Sequence, residues 1–196
     1  MTIPRSDNSP KGLLRQMIRE RLAADPAPSL EAFHETLLAS PLFQRADTLV
    51  GYIAIQQEIP LDVILKTALQ AGKKLLLPRF CGKEYTLAEI RSLEDDLVLG
   101  HFRIPEPRED CPVAVELSPD ALWLIPGLAF DSQGHRLGRG GGFYDRLRQK
   151  FPHGTALGIC RECQLLPDIP ADPWDLPVHA LLTPTSRIQS CYDISC

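Results

Sequence analysis

Apolar residues recur at helical spacing near the start of the chain. Leu14, Met17, Ile18 and Leu22 share one face of a helix predicted from Lys11 to Ala24. A second helix is predicted from Ser29 to Ala39, with Ser29 as its cap and Pro41 just past its end. The pattern then changes to short, continuous apolar runs. "TLVGYIAI" (48–55), "KKLLLP" (73–78), "ALWLIP" (121–126), "TALGIC" (155–160) and "VHALLTP" (178–184) each read as a buried strand. Between them, "LDVILKTALQAG" (61–72) reads as an amphipathic helix closed by Gly72, and "FYDRLRQKF" (143–151) as another. The middle is less regular: "YTLAEI" reads as a strand and "HFRIPEPRED" as a proline-broken loop. Strands without period-2 polarity, alternating with helices, imply a mostly parallel sheet covered on both faces. The expected architecture is a three-layer α/β sandwich, with residues 1–10 disordered and 11–196 forming one α/β domain.

Composition narrows the function classes. The 196 residues are 44% apolar and 23% charged, and the formal net charge is −4. An acidic balance argues against a nucleic-acid partner, so any anion site must be local. The opening "MTIPRSDNSP" is polar, and the longest uncharged apolar run, Ala121 to Phe130, is too short to span a bilayer. A cytoplasmic protein without a membrane partner is expected. Of the six cysteines, Cys160 and Cys163 form a C-x-x-C, with Cys191 and Cys196 further on; free structural thiols are expected, since zinc would need two more ligands.

The stretch "RLGRGGGFYDR" (136–146) follows an apolar run and holds four glycines and three arginines. Gly138, Gly140, Gly141 and Gly142 let the backbone approach a ligand, and the helix starting near Phe143 presents its positive end. Arg136 and Arg139 are forked cations suited to phosphate oxygens, and Asp145 could hold a divalent metal bridging them. Neither the Walker A spacing nor the dinucleotide G-x-G-x-x-G fits.

Other candidates lie at predicted strand ends, where α/β sheets bind ligands. Glu58 follows "YIAIQQ" and suits either paired N–H donors of a heterocycle or acid/base work; Arg79 follows "LLLP". Lys11, Arg15 and Arg19 line one face of the first helix, where mutual repulsion would be offset by a polyanion. "ADPWDLP" (171–177) carries Asp172 and Asp175, which fit turn chemistry or a second metal ligand. The residues alone point to an α/β enzyme for a nucleotide or other phosphorylated ligand, with Mg²⁺.

The segment "PGLAFDSQGHRLGRGGGFYDR" resembles the signature of the 5-formyltetrahydrofolate cyclo-ligase (methenyltetrahydrofolate synthetase) family. So do "KGLLRQMIRERL", "YIAIQQEIP", "LLLPR", "IPEP" and "QLLPDIPADPWDLPVHALLTP", in the right order. The resemblance implies a Rossmann-like sandwich and an ATP- and Mg²⁺-dependent conversion of 5-formyltetrahydrofolate to 5,10-methenyltetrahydrofolate, releasing ADP and phosphate. It implies ATP contacts from Lys11, Arg15, Arg136, Leu137, Gly138, Arg139, Gly140, Gly141, Gly142, Phe143 and Tyr144. It places the folate against Ile53, Glu58, Arg139, Gly140, Gly141, Gly142 and Phe143, and Mg²⁺ on Asp145 and Asp175. Arg136, Arg139 and Asp145 would carry the chemistry, in a monomer acting on a small-molecule folate. Many relatives have tyrosine at the place of Phe143, and some have lysine at that of Gly141, so this loop lacks one hydroxyl and one cation. Activity is expected to survive both changes.

Overall fold

The computed structural model describes residues 9–185 and 188–191. The disorder expected over residues 1–10 falls mostly on residues 1–8, which lie outside the described residues, as do Cys196 and the residues before it from 192. Ser9 and Pro10 depart from that expectation. They start α1 (Pro10–Ala24): Ser9 Oγ accepts from Gly12 N at 3.1 Å, and Pro10 sits where a helix needs no amide donor. The next helix, α2 (Glu31–Ala39), starts two residues after Ser29, behind a Leu30 cap that makes no side-chain bond. Pro41 does not merely end it but opens α3 (Pro41–Arg45), where Ser40 Oγ accepts from Phe43 N at 3.1 Å.

The chain continues through β1 (Thr48–Val50), α4 (Asp62–Gln70), β2 (Lys74–Phe80) and β3 (Tyr85–Ile90). It then forms β4 (Leu97–Leu99), β5 (Pro105–Pro107), β6 (Leu122–Pro126), β7 (Ala129–Phe130) and β8 (Arg136–Leu137). α5 (Phe143–Lys150), β9 (Thr155–Ile159), β10 (Ala180–Leu182) and β11 (Gln189–Ser190) complete it. The main sheet has seven strands in the order β11-β10-β9-β6-β1-β2-β3. The five central strands run parallel, and β3 and β11 close the edges antiparallel. β1 ends at Val50 rather than at residue 55. Part of the predicted proline-broken loop pairs instead, β5 with β4.

Pro78 lies inside β2, which a proline normally interrupts. Leu76 O bonds toward β1, accepting from Gly51 N, so Pro78 faces the same side two residues on, where β1 has already ended. No donor is needed there. Arg79 is no ligand-facing residue: it is 9% exposed and its Nη1 donates to the carbonyls of Arg108, Glu109 and Cys111.

Helices cover both faces. On one, Phe33 and Leu37 of α2, Phe43 of α3 and Ile64 and Leu65 of α4 pack on Leu49, Leu75 and Leu124. On the other, Leu147 of α5 and Phe151 pack on Val50, Trp123 and Ile125. α1 lies apart, its Ile18 and Leu22 against Leu128, Leu137 and Ile169. Among the described residues no helix is long and apolar enough to cross a membrane.

β1 has β2 on one side and β6 on the other, so the chain leaves β1 in one direction and returns on the opposite flank. In α/β sheets ligands bind at such a switch point, here between the loops that follow β1 and β6. The β6 loop is shaped by Asp131, which is fully buried. Its Oδ1 accepts from Gln133 N at 2.9 Å and His135 N at 3.0 Å; its Oδ2 meets His135 Nδ1 and accepts from Ile169 N, both at 3.0 Å. Gly134 completes this turn at φ +83°, where a Cβ would stand 2.2 Å from Val178 O. Replacing Asp131 with alanine is expected to cost about 3 kcal/mol of folding stability, since bonds to a carboxylate contribute roughly 1.5–3 kcal/mol each and partly compensate when lost. A denaturant titration checks this: the midpoint falls, whereas an unmoved midpoint would show the turn to be held elsewhere.

Candidate active site

Three segments meet at the carboxyl ends of the parallel strands. The first leaves β1 and is folded back on itself. Tyr52 Oη donates to Ile59 O at 2.8 Å, Glu58 N donates to Ile55 O, and Ile55 N returns a 3.1 Å bond to Glu58 Oε2. Gln56 sits between them at φ +52°. Ile53, of the same segment, is half-buried against the core.

The second segment is the Gly-rich loop between β8 and α5. Gly142 caps α5 in the left-handed conformation, φ +58°, which a side chain would strain. At Gly138 a Cβ would stand 2.8 Å from Arg136 Nη1, so the missing side chain lets that guanidinium lie across the backbone. Gly138 O accepts from Arg15 Nε at 2.9 Å, which brings α1 to the loop. At Gly141 a Cβ would meet nothing within 4 Å. Arg139 and Gly140 to Gly142 are exposed, Leu137 is buried, and Phe143 and Tyr144 are half-buried. The rings of Tyr85, Phe143 and Tyr144 form a row with centroids 4.2 and 4.6 Å apart.

The third segment precedes β10. Lys11 Nζ lies 2.5 Å from Asp172 Oδ2 and 2.6 Å from Asp175 Oδ2, and Asp172 N donates to the same Asp175 oxygen at 2.9 Å. Leu176 N donates to Asp145 Oδ1 at 3.3 Å, and Arg148 Nη1 donates to Pro177 O at 2.7 Å.

Charge pairs join these segments. Arg136 Nη2 bonds Asp145 Oδ2 at 2.8 Å, with both side chains largely buried. Arg139 bridges the two loops: Nη1 donates to Gln56 Oε1 at 2.7 Å, and Nη2 lies 3.2 Å from Glu58 Oε1. Burial pushes the Glu58 carboxyl above its ordinary value, against the pull of the Ile55 amide and of Arg139. Burial also works against the Lys11 ammonium, yet the two aspartates outweigh it and raise its pKa. Asp175 is held below the ordinary carboxylate range, its burial outweighed by the Asp172 amide, Lys11 and Arg136. Burial raises the Tyr52 and Tyr144 hydroxyls, with Glu58 adding to both, so both stay neutral.

The predicted site residues therefore gather at one end of the sheet. The basic stripe on α1 divides: Lys11 and Arg15 turn inward and Arg19 is exposed. Lys11 is partnered by the aspartates, and Asp145 by Arg136, before any ligand is considered. Gln56 and Tyr85 were not singled out in the sequence, because a glutamine in a loop and a tyrosine in an edge strand carry no local signal. The described cysteines are free thiols, as expected; burial raises Cys160 and raises Cys163 to about 11.

Asp145 and Asp175 are the carboxylates that would hold a magnesium ion, and each already bonds a cation, Arg136 and Lys11 respectively. Asp145 and Asp175 offer hard oxygens from neighbouring segments, with the Leu176 amide linking them. No group of three or more His, Cys, Asp or Glu gathers at one point among the described residues.

The model of the 5-formyltetrahydrofolate cyclo-ligase family matches residues 7–184 of the chain. The chain is 30% identical over 179 residues to the Escherichia coli K12 5-formyltetrahydrofolate cyclo-ligase, covering 86% of this chain and 97% of that one. It is 31% identical over 194 residues to the Mus musculus protein of that name, covering 89% and 94%. Among solved structures, it resembles the NMR structure of Aquifex aeolicus 5,10-methenyltetrahydrofolate synthetase at a TM-score of 0.80 and 30% identity, covering 95% of each chain.

The Glu58–Arg139 contact has a titration consequence. A raised folded-state pKa means that, between the ordinary glutamate value and the raised one, the folded protein keeps a proton that the unfolded chain has lost. This group therefore weakens stability as pH climbs through that window. Arg139→Ala removes a cation that favours ionised Glu58, so the Glu58 carboxyl is expected to titrate higher still. Carbon NMR of the labelled carboxylate would show the upward move; a downward or absent shift would mean that Arg139 does not govern this group.

Proposed function

Because the chain belongs to the 5-formyltetrahydrofolate cyclo-ligase family, we propose that it closes 5-formyltetrahydrofolate to 5,10-methenyltetrahydrofolate at the expense of ATP, with Mg²⁺. The observation that carries this reading is Arg139. It belongs to the Gly-rich loop yet bonds Gln56 and Glu58 of the β1 loop. One guanidinium thus stands between a glycine-rich backbone and a half-buried carboxylate, the places a nucleotide and a folate would occupy.

The loop backbone from Gly138 to Gly142 and the N-terminus of α5 supply N–H donors to the phosphates. The fold itself does not require glycine at 141, where a Cβ would meet nothing within 4 Å. Lys11, Arg15, Arg136 and Arg139 neutralise the triphosphate, with Leu137, Phe143 and Tyr144 shaping the loop. Asp145 and Asp175 would hold the magnesium ion, which when bound screens the phosphate oxygens. Glu58 accepts N–H bonds from the pteridine while Ile53 and Phe143 cover apolar ring surface.

An N-formyl oxygen is a poor leaving group. In the proposed sequence it attacks the γ-phosphorus and the bond to the ADP oxygen breaks. N10 then attacks the formyl carbon and gives up its proton. The bond from that carbon to the phosphorylated oxygen breaks, inorganic phosphate departs, and the ring is closed. The protein's part is to align the formyl oxygen with the γ-phosphoryl group and to neutralise charge as it moves.

The test is the absorbance of methenyltetrahydrofolate, followed with purified protein, 5-formyltetrahydrofolate, Mg²⁺ and ATP. Product is expected only with ATP present. Arg139→Ala is expected to lower kcat/KM by about 10²- to 10³-fold, the usual cost of one preorganised charge-stabilising donor. Product without ATP, or full activity in the variant, would overturn the reading.

A further inference from the structure

We infer that Trp174 is the surface on which the purine base of the nucleotide stacks; this rests on the nucleotide reading of the Gly-rich loop. The chain has two tryptophans in opposite settings. Trp123 is 1% exposed and donates its Nε1–H to His153 O at 3.0 Å, whereas Trp174 is 62% exposed.

A single exposed apolar residue is ordinary on a protein surface. What sets Trp174 apart is its mounting. Asp175 N donates to Asp172 O and Asp172 N donates to Asp175 Oδ2, both at 2.9 Å, which closes a turn around Pro173 and Trp174. Just after it, Leu176 N is held by Asp145 and Pro177 O by Arg148. The Trp174 carbonyl itself accepts a long 3.5 Å bond from Gln149 Nε2 of α5. The backbone is fixed on both sides while the indole is left uncovered. A rigid aromatic of this kind loses little conformational entropy when a ligand covers it.

Its position selects the ligand. Trp174 adjoins Asp175, which Lys11 holds at 2.6 Å, and lies two residues from Leu176, which is bonded to Asp145. Two residues reach at most about 7 Å, comparable to a ribose. Trp174 is thus within one ribose length of the backbone amide that α5 holds through Asp145. A triphosphate lying over Gly138 to Gly142 would, in this proposal, set its base there. The pteridine is the other flat ring available, but its carboxylate, Glu58, is tied to the loop through Arg139. The 171–177 segment is tied through Asp145 and Lys11 instead. Indole and purine faces stack without needing a hydrogen-bond code, so a purine triphosphate is the chemistry that fits.

Indole fluorescence, excited at the red edge of its band, reads this directly. ATP with Mg²⁺ is expected to quench wild-type emission, and inorganic tripolyphosphate with Mg²⁺ is not, because the buried Trp123 does not report the base. Trp174→Ala is expected to raise the KM for ATP roughly five- to hundredfold, the loss falling in KM rather than kcat. Its affinity for tripolyphosphate should hold, and Trp174→Phe should restore most of the ATP affinity. The inference is overturned if Trp174→Ala leaves the KM for ATP unchanged, or weakens ATP and tripolyphosphate alike. Quenching by 5-formyltetrahydrofolate in place of ATP would overturn it too. Calorimetry separates the two levels: no heat from ATP with wild-type protein overturns the nucleotide reading itself, whereas heat without quenching overturns only the role of Trp174.

Discussion

The site depends on one buried carboxylate that takes no part in it. Asp131 shapes the turn between β7 and β8, and by accepting from Ile169 N it also fixes the start of the segment that carries Asp172 and Asp175. Val178 N closes the same arrangement on Gly134 O at 2.9 Å. A charge buried in this way is tolerable only when its lone pairs are filled, and here four contacts fill them. The Gly-rich loop and the acidic segment, 30 to 40 residues apart in sequence, are thereby set at one distance from each other.

On that frame three cations of the site, Lys11, Arg136 and Arg139, already face carboxylates. Lys11 lies between two aspartates, Arg136 on Asp145 and Arg139 on Glu58. The pairs are not equivalent. The Arg136 and Asp145 side chains are 7% and 14% exposed, and separating a pair so deeply buried leaves uncompensated charge. Arg139 is 35% exposed, and a pair that solvent reaches is weak. Under the proposed function Arg139 is the arginine that would exchange Glu58 for a phosphate, while the Arg136–Asp145 pair keeps the loop in shape. Glu58, held above its ordinary pKa by burial, would under the same proposal be left to ring N–H donors of the substrate.

Much of this was legible in the sequence for identifiable reasons. The central strands are continuous apolar runs because both faces of a parallel sheet are covered, and β6 and β9 show this plainly. β5 was not legible: its two prolines read as a loop, and only its partner β4 makes it a strand. α3 was hidden because Pro41 fits both the end of one helix and the start of another. In the site, the Gly-rich loop announces itself locally, with four glycines and its arginines in one stretch. Glu58 and Arg139 are 81 residues apart, and no periodicity joins them. The structural duty of Asp131 was equally silent, since an aspartate in "FDSQGH" reads as ordinary turn chemistry.

The account holds that these loops place the formyl oxygen in line with the γ-phosphoryl group, so that this oxygen leaves the folate bonded to phosphorus. The decisive measurement uses 5-formyltetrahydrofolate carrying a heavy oxygen isotope in the formyl group, with the released phosphate analysed by mass spectrometry after turnover. Heavy oxygen in the phosphate is the predicted result. Unlabelled phosphate, with the heavy oxygen recovered in water, would contradict it.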